Sequence, residues 1–423
     1  MTNEKIRKTV LPNGLRVISE QMPQVRSVAI GFWVSAGSRD EVNEESGISH
    51  FVEHMVFKGT ENRTADQIAY SIDAIGGHLD AFTTKESVAF TAKVLDEHVP
   101  RAVDVLSDLV LNPTFHEEDI EREKGVVLEE LKMDEDNPDH LLHETFVSNF
   151  WPEHPLGRPI IGNEQTIRCF TREQLRAFFQ ETYSPDNLMF VAAGNISHEK
   201  LVSLIGDRFS GLTSRAVRKR TTAPKNQSLV TLRDKPSLEQ VHLCLGVPSY
   251  EIAHPKRHAG YVLNTILGGG ISSRLFLRIR EHEGLAYSIF SDLGVFDNGG
   301  MIYVYAGTSI DTARRVVNHI IEEMKQLKEV LVDDEELRRA KDYMKGSLTL
   351  SLESTSSRMS NLARQERYFR RFTSIDELHD KIEQVDALSI RQVADEWFGE
   401  ESVSLAMLGD LRGFNISQDD LRC

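Results

Sequence analysis

The order of elements in the first half of the chain recurs 213 to 218 residues later, and this recurrence constrains the fold more than any other feature. Ser27-Val28-Ala29-Ile30-Gly31 is answered by Gln240-Val241-His242-Leu243-Cys244, and Glu123-Lys124 by Ala340-Lys341. Thr171 with Gln174 is answered by Ser389 with Gln392, and Val191-Ala192-Ala193-Gly194-Asn195 by Ala406-Met407-Leu408-Gly409-Asp410. Four anchors at nearly one offset mark a duplicated unit. Within the first copy, Asn13-Gly14 between apolar runs predicts a hairpin over 9–19, and strands are expected over 28–34, 78–85, 88–94 and 188–194. Helices are expected over 46–57, 99–111 and 117–133, and after the capping boxes Thr64/Gln67 and Thr171/Gln174. Such a mixture predicts an α+β chain of two homologous domains, each a mainly antiparallel sheet with helices packed on one face. The boundaries follow the repeat: 1–213, a linker at 214–228, and 229–423. With Pro224 and the basic residues Arg215, Arg218, Lys219, Arg220 and Lys225, the linker reads as a solvated connector rather than a binding patch.

The first copy contains His50-Phe51-Val52-Glu53-His54-Met55-Val56-Phe57-Lys58-Gly59-Thr60, two imidazoles and a carboxylate within one helical turn. At i and i+4, His50 and His54 share a helix face, so two neutral ring nitrogens can converge on one metal ion. Phe51, Val52, Met55, Val56 and Phe57 cover the rest of the surface and bury the helix, where three ionisable groups are costly without a cation or other compensating partners. Ser46 and Ser49 offer N-caps and Gly59 a stop. A catalytic zinc ion takes a third protein ligand and leaves its fourth position to water. The helix expected at 117–133 is the best supplier, with Glu123 and Glu130 on one face and Glu121, Glu129 and Lys132 pointing more outward. Spacing alone does not choose between them. Adding the repeat offset to 50–54 lands near 264–268, where no metal ligand stands, so the second domain has the fold without the metal. His254 and His258 repeat the i, i+4 spacing, but Pro255 is expected to open that helix and leave His254 outside it.

Composition bounds the function. With 40% hydrophobic and 27% charged residues over 423 positions, the chain reads as a soluble globular protein of two or more domains. The start, Met1-Thr2-Asn3-Glu4-Lys5-Ile6-Arg7-Lys8, has no apolar signal region and no run of 18 apolar residues follows, which points to the cytoplasm. Cys169, Cys244 and Cys423 are too scattered for a disulfide framework or a thiolate zinc site. A net charge of −16 argues against a nucleic-acid partner or an anionic membrane and favours neutral or basic ligands.

His50-Phe51-Val52-Glu53-His54, followed 76 positions later by Glu130 in Glu121-Arg122-Glu123-Lys124-Gly125-Val126-Val127-Leu128-Glu129-Glu130, resembles the inverted zincins of the pitrilysin, insulin-degrading enzyme and mitochondrial processing peptidase family. Gly47-Ile48-Ser49, Phe57-Lys58-Gly59-Thr60 and His154-Pro155-Leu156-Gly157-Arg158-Pro159 match it too, and the likeness covers nearly the whole chain, closest to the short two-domain bacterial branch. It implies His50, His54 and Glu130 as ligands of one zinc ion per chain, Glu53 as general base, and Glu123 as the acid standing behind the ligands. In the second domain, Gly268-Gly269-Gly270, Ser272-Ser273-Arg274-Leu275-Phe276 and Arg280-Glu281-His282-Glu283-Gly284-Leu285-Ala286-Tyr287 resemble the segment supplying the family's arginine and tyrosine, here Arg280 and Tyr287. Read without the resemblance, the glycine run lacks the ending of a phosphate loop, and Tyr287 is compatible with an ordinary strand aromatic. Leu79-Asp80-Ala81-Phe82-Thr83 matches the substrate-binding strand, with Asp80 where the family commonly has Asn. The resemblance thus implies a zinc endopeptidase of short or unfolded peptides that pairs into a homodimer. The alternative it carries is an inactive scaffold or partner subunit of the same fold.

Overall fold

The eight residues Ser27–Val34 are buried along almost their whole length, which a strand achieves only with packed layers on both faces. Alternate side chains divide accordingly. Val28, Ile30, Phe32 and Val34 enter one core, while Ala29 and Trp33 enter a second. Leu188–Gly194 divides in the same way, with Leu188, Phe190 and Ala192 in the first core and Met189, Val191 and Ala193 in the other.

The computed structural model describes residues 5–213, 222–399 and 402–423. Of the linker at 214–228, residues 214–221, with Arg215, Arg218, Lys219 and Arg220, lie outside the described residues, and 222–229 run without regular structure. The chain divides into two compact units, each threaded from three stretches: 1–133, 158–221 and 351–372 in the first, and 134–157, 222–350 and 373–423 in the second.

The first unit is built on β1 (Ile6–Val10), β2 (Arg16–Gln21), β3 (Ser27–Val34), β4 (His78–Thr83), β5 (Val88–Leu95) and β6 (Leu188–Gly194), in the spatial order β1-β2-β6-β3-β5-β4. Only β2 and β6 pair in parallel; the other neighbours are antiparallel. The second unit has β7 (Val230–Asp234), β8 (Val241–Ser249), β9 (Ala286–Phe296), β10 (Gly299–Thr308) and β11 (Ser404–Gly409), ordered β7-β11-β8-β10-β9, with β7 and β11 parallel. The expected mainly antiparallel sheets are therefore present in both.

In the first unit most helices lie on one face of the sheet, including α1 (Ile48–Val56), α2 (Ala65–Asp73) and α3 (Val99–Leu111), which bury Phe51, Met55, Ile68, Leu106 and Leu109 there. The long α4 (Glu117–Asp136) adds Ile120 and Val127. The opposite face is closed by one helix from the far half of the sequence, Thr355–Phe369, whose Met359, Leu362 and Ala363 pack on Trp33 and Met189. In the second unit the matching face is closed by α5 (Pro138–Phe150), whose Leu142, Phe146, Val147 and Phe150 pack with Cys244, Met301, Tyr305, Ala406 and Leu408. These two helices occupy the same place in the repeat, their first residues lying 217 positions apart. Each repeat thus contributes to the other unit the helix that closes its sheet, a feature that helices on one face alone did not anticipate.

Local signals held where the contacts are local. Thr64/Gln67 and Thr171/Gln174 both form reciprocal capping boxes. In the second repeat the cap is Asp386, which accepts from Ser389 N–H at 2.8 Å, so the helix begins three positions ahead of the expected Ser389/Gln392 pair.

Candidate metal centre

Helix α1 does not start on a serine side chain. Its N-cap is Gly47 at φ +93°, and a Cβ there would meet Ile161 O at 2.4 Å, so the left-handed turn and the close approach both require glycine. The capping that Ser46 or Ser49 was expected to give comes from Glu41, whose two carboxylate oxygens accept from Gly47 N–H and Ser49 N–H, each at 2.8 Å. Burial pushes the Glu41 carboxyl up to about 7, against the lowering effect of those two N–H donors and the nearby charge of Arg158. Gly59 lies beyond the C-cap Phe57, again at positive φ.

From this helix His50 and His54 project side by side, ring centroids 4.5 Å apart. Helix α4 brings Glu130 to both: its Oε1 lies 3.6 Å from His50 Nε2 and its Oε2 3.5 Å from His54 Nε2. These separations are long for hydrogen bonds. They fit ligands sharing one ion, because two atoms about 2.1 Å from a tetrahedral zinc stand roughly 3.4 Å apart. One ligand atom from each of the three residues lies within 4.8 Å of the others.

His50 is held neutral, its pKa lowered to about 4 by burial and by the neighbouring His54, and a neutral ring is the form that ligates. Its buried Nδ1 has no hydrogen-bond partner among the described residues. His54 differs. Burial opposes its protonation, but the hydrogen bond to Glu123 and the charges of Glu130, Glu123 and Glu53 outweigh that and raise its pKa. Its Nδ1–H donates to Glu123 Oε1 at 2.9 Å, leaving Nε2 for an ion. Glu123 is buried, and its second oxygen takes Lys58 Nζ at 2.6 Å. Despite that burial, the bonds from His54 and Lys58 hold its carboxyl below the usual range. Glu121 and Glu129 point outward and pair with Lys124 and Lys132 of their own helix.

Glu53 is 9% exposed, and burial raises its pKa, opposed by the Thr83 hydroxyl, which donates to its Oε2 at 2.5 Å, and by His54. Thr83 ends β4, the edge strand of its sheet, along which His78, Asp80 and Phe82 are exposed while Leu79, Ala81 and Thr83 are half-buried. Tyr183, which the sequence did not single out, stands near: its buried hydroxyl has no partner among the described residues, and burial and the charge of Glu53 raise its pKa. In the other unit, Arg280 on the π-helical segment Phe276–His282 lies over the Phe276 ring at 4.9 Å and the Tyr287 ring at 5.2 Å, and Tyr287 is 77% exposed on the edge strand β9. His254 falls outside the helix Arg257–Leu267, as its proline neighbour implied.

The chain has relatives. A zinc protease of Bacillus subtilis is 40% identical over 398 residues, covering 94% of this chain and 96% of that protein. The chain belongs to peptidase family M16. Residues 16–164 match the family model described as insulinase (peptidase family M16), and 170–344 match the one described as peptidase M16 inactive domain. A zinc protease of Mycobacterium leprae is 39% identical, covering 91% of this chain and 87% of its own, and one of Rickettsia felis is 36% identical, covering 97% and 100%. In fold the chain is similar to a protease from Helicobacter pylori, with a TM-score of 0.90 at 21% identity covering 96% and 99%, and to a peptidase M16 inactive domain from Pseudomonas fluorescens, with 0.89 at 18% covering 96% and 98%. These two matches show the fold, which the chain shares along nearly its whole length.

Proposed function

We propose that this M16 chain is a zinc-dependent endopeptidase that cleaves short or unfolded peptides, holding one ion per chain on His50, His54 and Glu130. The observation that carries the reading is the convergence of those three side chains with Glu53 on the same helical turn. Zinc bound there supplies a Lewis acid, polarising a peptide carbonyl and lowering the pKa of a water molecule. Glu53, with Oε2 held by Thr83 and its pKa raised by burial, takes a proton from water and passes it to the leaving amine. The unpaired edge of β4, residues Asp80 to Thr83, receives the peptide as an added strand. Arg280 and Tyr287 hold the developing oxyanion or a peptide carbonyl. Two chains pair so that the parts act together, and the charge of −16 draws basic peptides. No helix among the described residues is long and apolar enough to cross a membrane.

Metal analysis and peptide cleavage by the purified protein test this together. Glu130→Gln is expected to lose most of its zinc, whereas Glu53→Gln is expected to keep zinc and lose turnover. Full zinc in the first, or normal turnover in the second, would break the assignment. Wild-type protein that carries zinc and cleaves no peptide would favour an inactive scaffold or partner subunit. Equal rates on acidic and basic peptides at low salt would remove the charge preference.

A further inference from the structure

Strand β4 is the edge of its sheet, and its end next to the hairpin turn is held by strand pairing on one side only, with Thr83 opposite Val88 of β5. Yet that end carries Thr83, whose hydroxyl holds Glu53. The turn that follows is closed by Thr84 N–H donating to Ser87 O at 2.8 Å and by Ser87 N–H donating to Thr84 Oγ1 at 3.0 Å. It also sits flush on the segment after β3. Ser38 N–H donates to Thr84 O at 3.2 Å and Arg39 N–H to Lys85 O at 2.8 Å, while a Cβ on Gly37 would stand 2.3 Å from Thr84 O.

The centre of this contact is Glu86, 1% exposed. Its Oε1 accepts from the guanidinium of Arg39, itself 1% exposed, and its Oε2 accepts from the Tyr368 hydroxyl at 2.8 Å. Its backbone carbonyl accepts from Arg367 Nε at 3.4 Å and Nη2 at 3.2 Å. Arg367 and Tyr368 belong to the helix Thr355–Phe369, the one contributed by the second repeat. A buried carboxylate persists only when its oxygens are satisfied, and both oxygens of Glu86 are. A hairpin tip needs no such network to turn. Here the network ties the tip to two other elements, three residues along the chain from the threonine that holds Glu53.

We propose that Glu86, Arg367 and Tyr368 are positioning residues for Glu53, acting through the turn and Thr83, so that the second repeat completes the active site of the first. The proposal rests on Glu53 being the general base. Tyr368→Phe deletes one hydroxyl and leaves the ring and the Arg39 pair in place. It is expected to keep zinc content and KM and the folded state with a somewhat lower melting temperature, because one buried oxygen loses its donor, to lower kcat on the order of tenfold, since small misplacements of reacting groups are costly, and to speed hydrogen exchange at residues 80–88. Thr83→Val should lower kcat as well and Thr83→Ser should restore it. In the Thr83→Val background Tyr368→Phe should add almost nothing, because the route it acts through is already cut. Wild-type exchange at 80–88 in Tyr368→Phe, or an undiminished kcat loss on top of Thr83→Val, would overturn the proposal. Zinc-loaded wild type without peptidase activity would sink the enzymatic reading alone, and the exchange comparison would still decide for or against the clamp.

Discussion

A histidine ligates only as a neutral ring, and the two histidines meet that requirement differently: His50 is already neutral, whereas His54, with its pKa raised, has to give up its Nε2 proton to an ion. His50 is neutral through burial, while His54 is steered by Glu123, which takes its Nδ1–H and leaves Nε2 toward Glu130. Spacing on α4 left Glu123 and Glu130 as equal ligand candidates. The structure separates them: one carboxylate meets the Nδ1 edge of His54 and the other meets Nε2 of both rings. Removing the orienting charge should therefore weaken zinc without abolishing the site. Glu123→Gln is expected to bind zinc about 10- to 100-fold more weakly, the usual effect of losing a partner behind a ligand histidine. Competition with a chromophoric chelator reads this directly, and an unchanged affinity would remove Glu123 from the metal's support.

The helix that presents these residues is anchored at its start by a carboxylate that burial makes reluctant to ionise. With Glu41 pushed up to about 7 in the folded protein against an ordinary 4.5, the folded state holds the extra proton between those values. Its contribution to stability is complete below about pH 4.5 and is lost as pH rises toward 7, at up to about 1.4 kcal/mol per pH unit. Glu41→Gln cannot titrate, so the stability difference between wild type and this variant, measured by urea unfolding of the zinc-free proteins, should shift against wild type from pH 5 to pH 7. A difference independent of pH would contradict the burial argument. Glu41 also shows where sequence reading stops. Capping boxes such as Thr64/Gln67 were legible because both partners lie three residues apart and answer each other's backbone. Glu41 reaches Gly47 and Ser49 from outside the helix, while Ser46 and Ser49 present stronger local signals, so nothing short-range marked it. The string His50-Phe51-Val52-Glu53-His54 was legible for the opposite reason, since its chemistry lies within one turn.

Across the whole molecule the repeat was legible in four short anchors, but the exchange of α5 and Thr355–Phe369 between the compact units was not. Contacts such as Trp33 with Met359 join positions 326 apart, and no periodicity in either helix says which sheet it will cover. The placing of the candidate residues in different halves of the chain was legible as well. The unit with His50, Glu53, His54 and Glu130 does not contain Arg280 or Tyr287, which stand together in the other. If these act on one peptide, a site takes parts from both units, and the proposed homodimer lets them come from different chains. Tyr287→Phe should then keep zinc and fold while losing a factor of about 100 to 1000 in kcat, as expected for a donor to a developing oxyanion. Mixing it with Glu53→Gln chains, with subunit exchange confirmed, decides which chains supply the parts. In a shared-site dimer each mixed pair has one site bearing both lesions and one bearing neither. Half the dimers are mixed at equal ratio, so activity should return to about a quarter of wild type. If each chain builds its own site, every site in the mixture carries a lesion, and activity at background would refute the shared-site dimer.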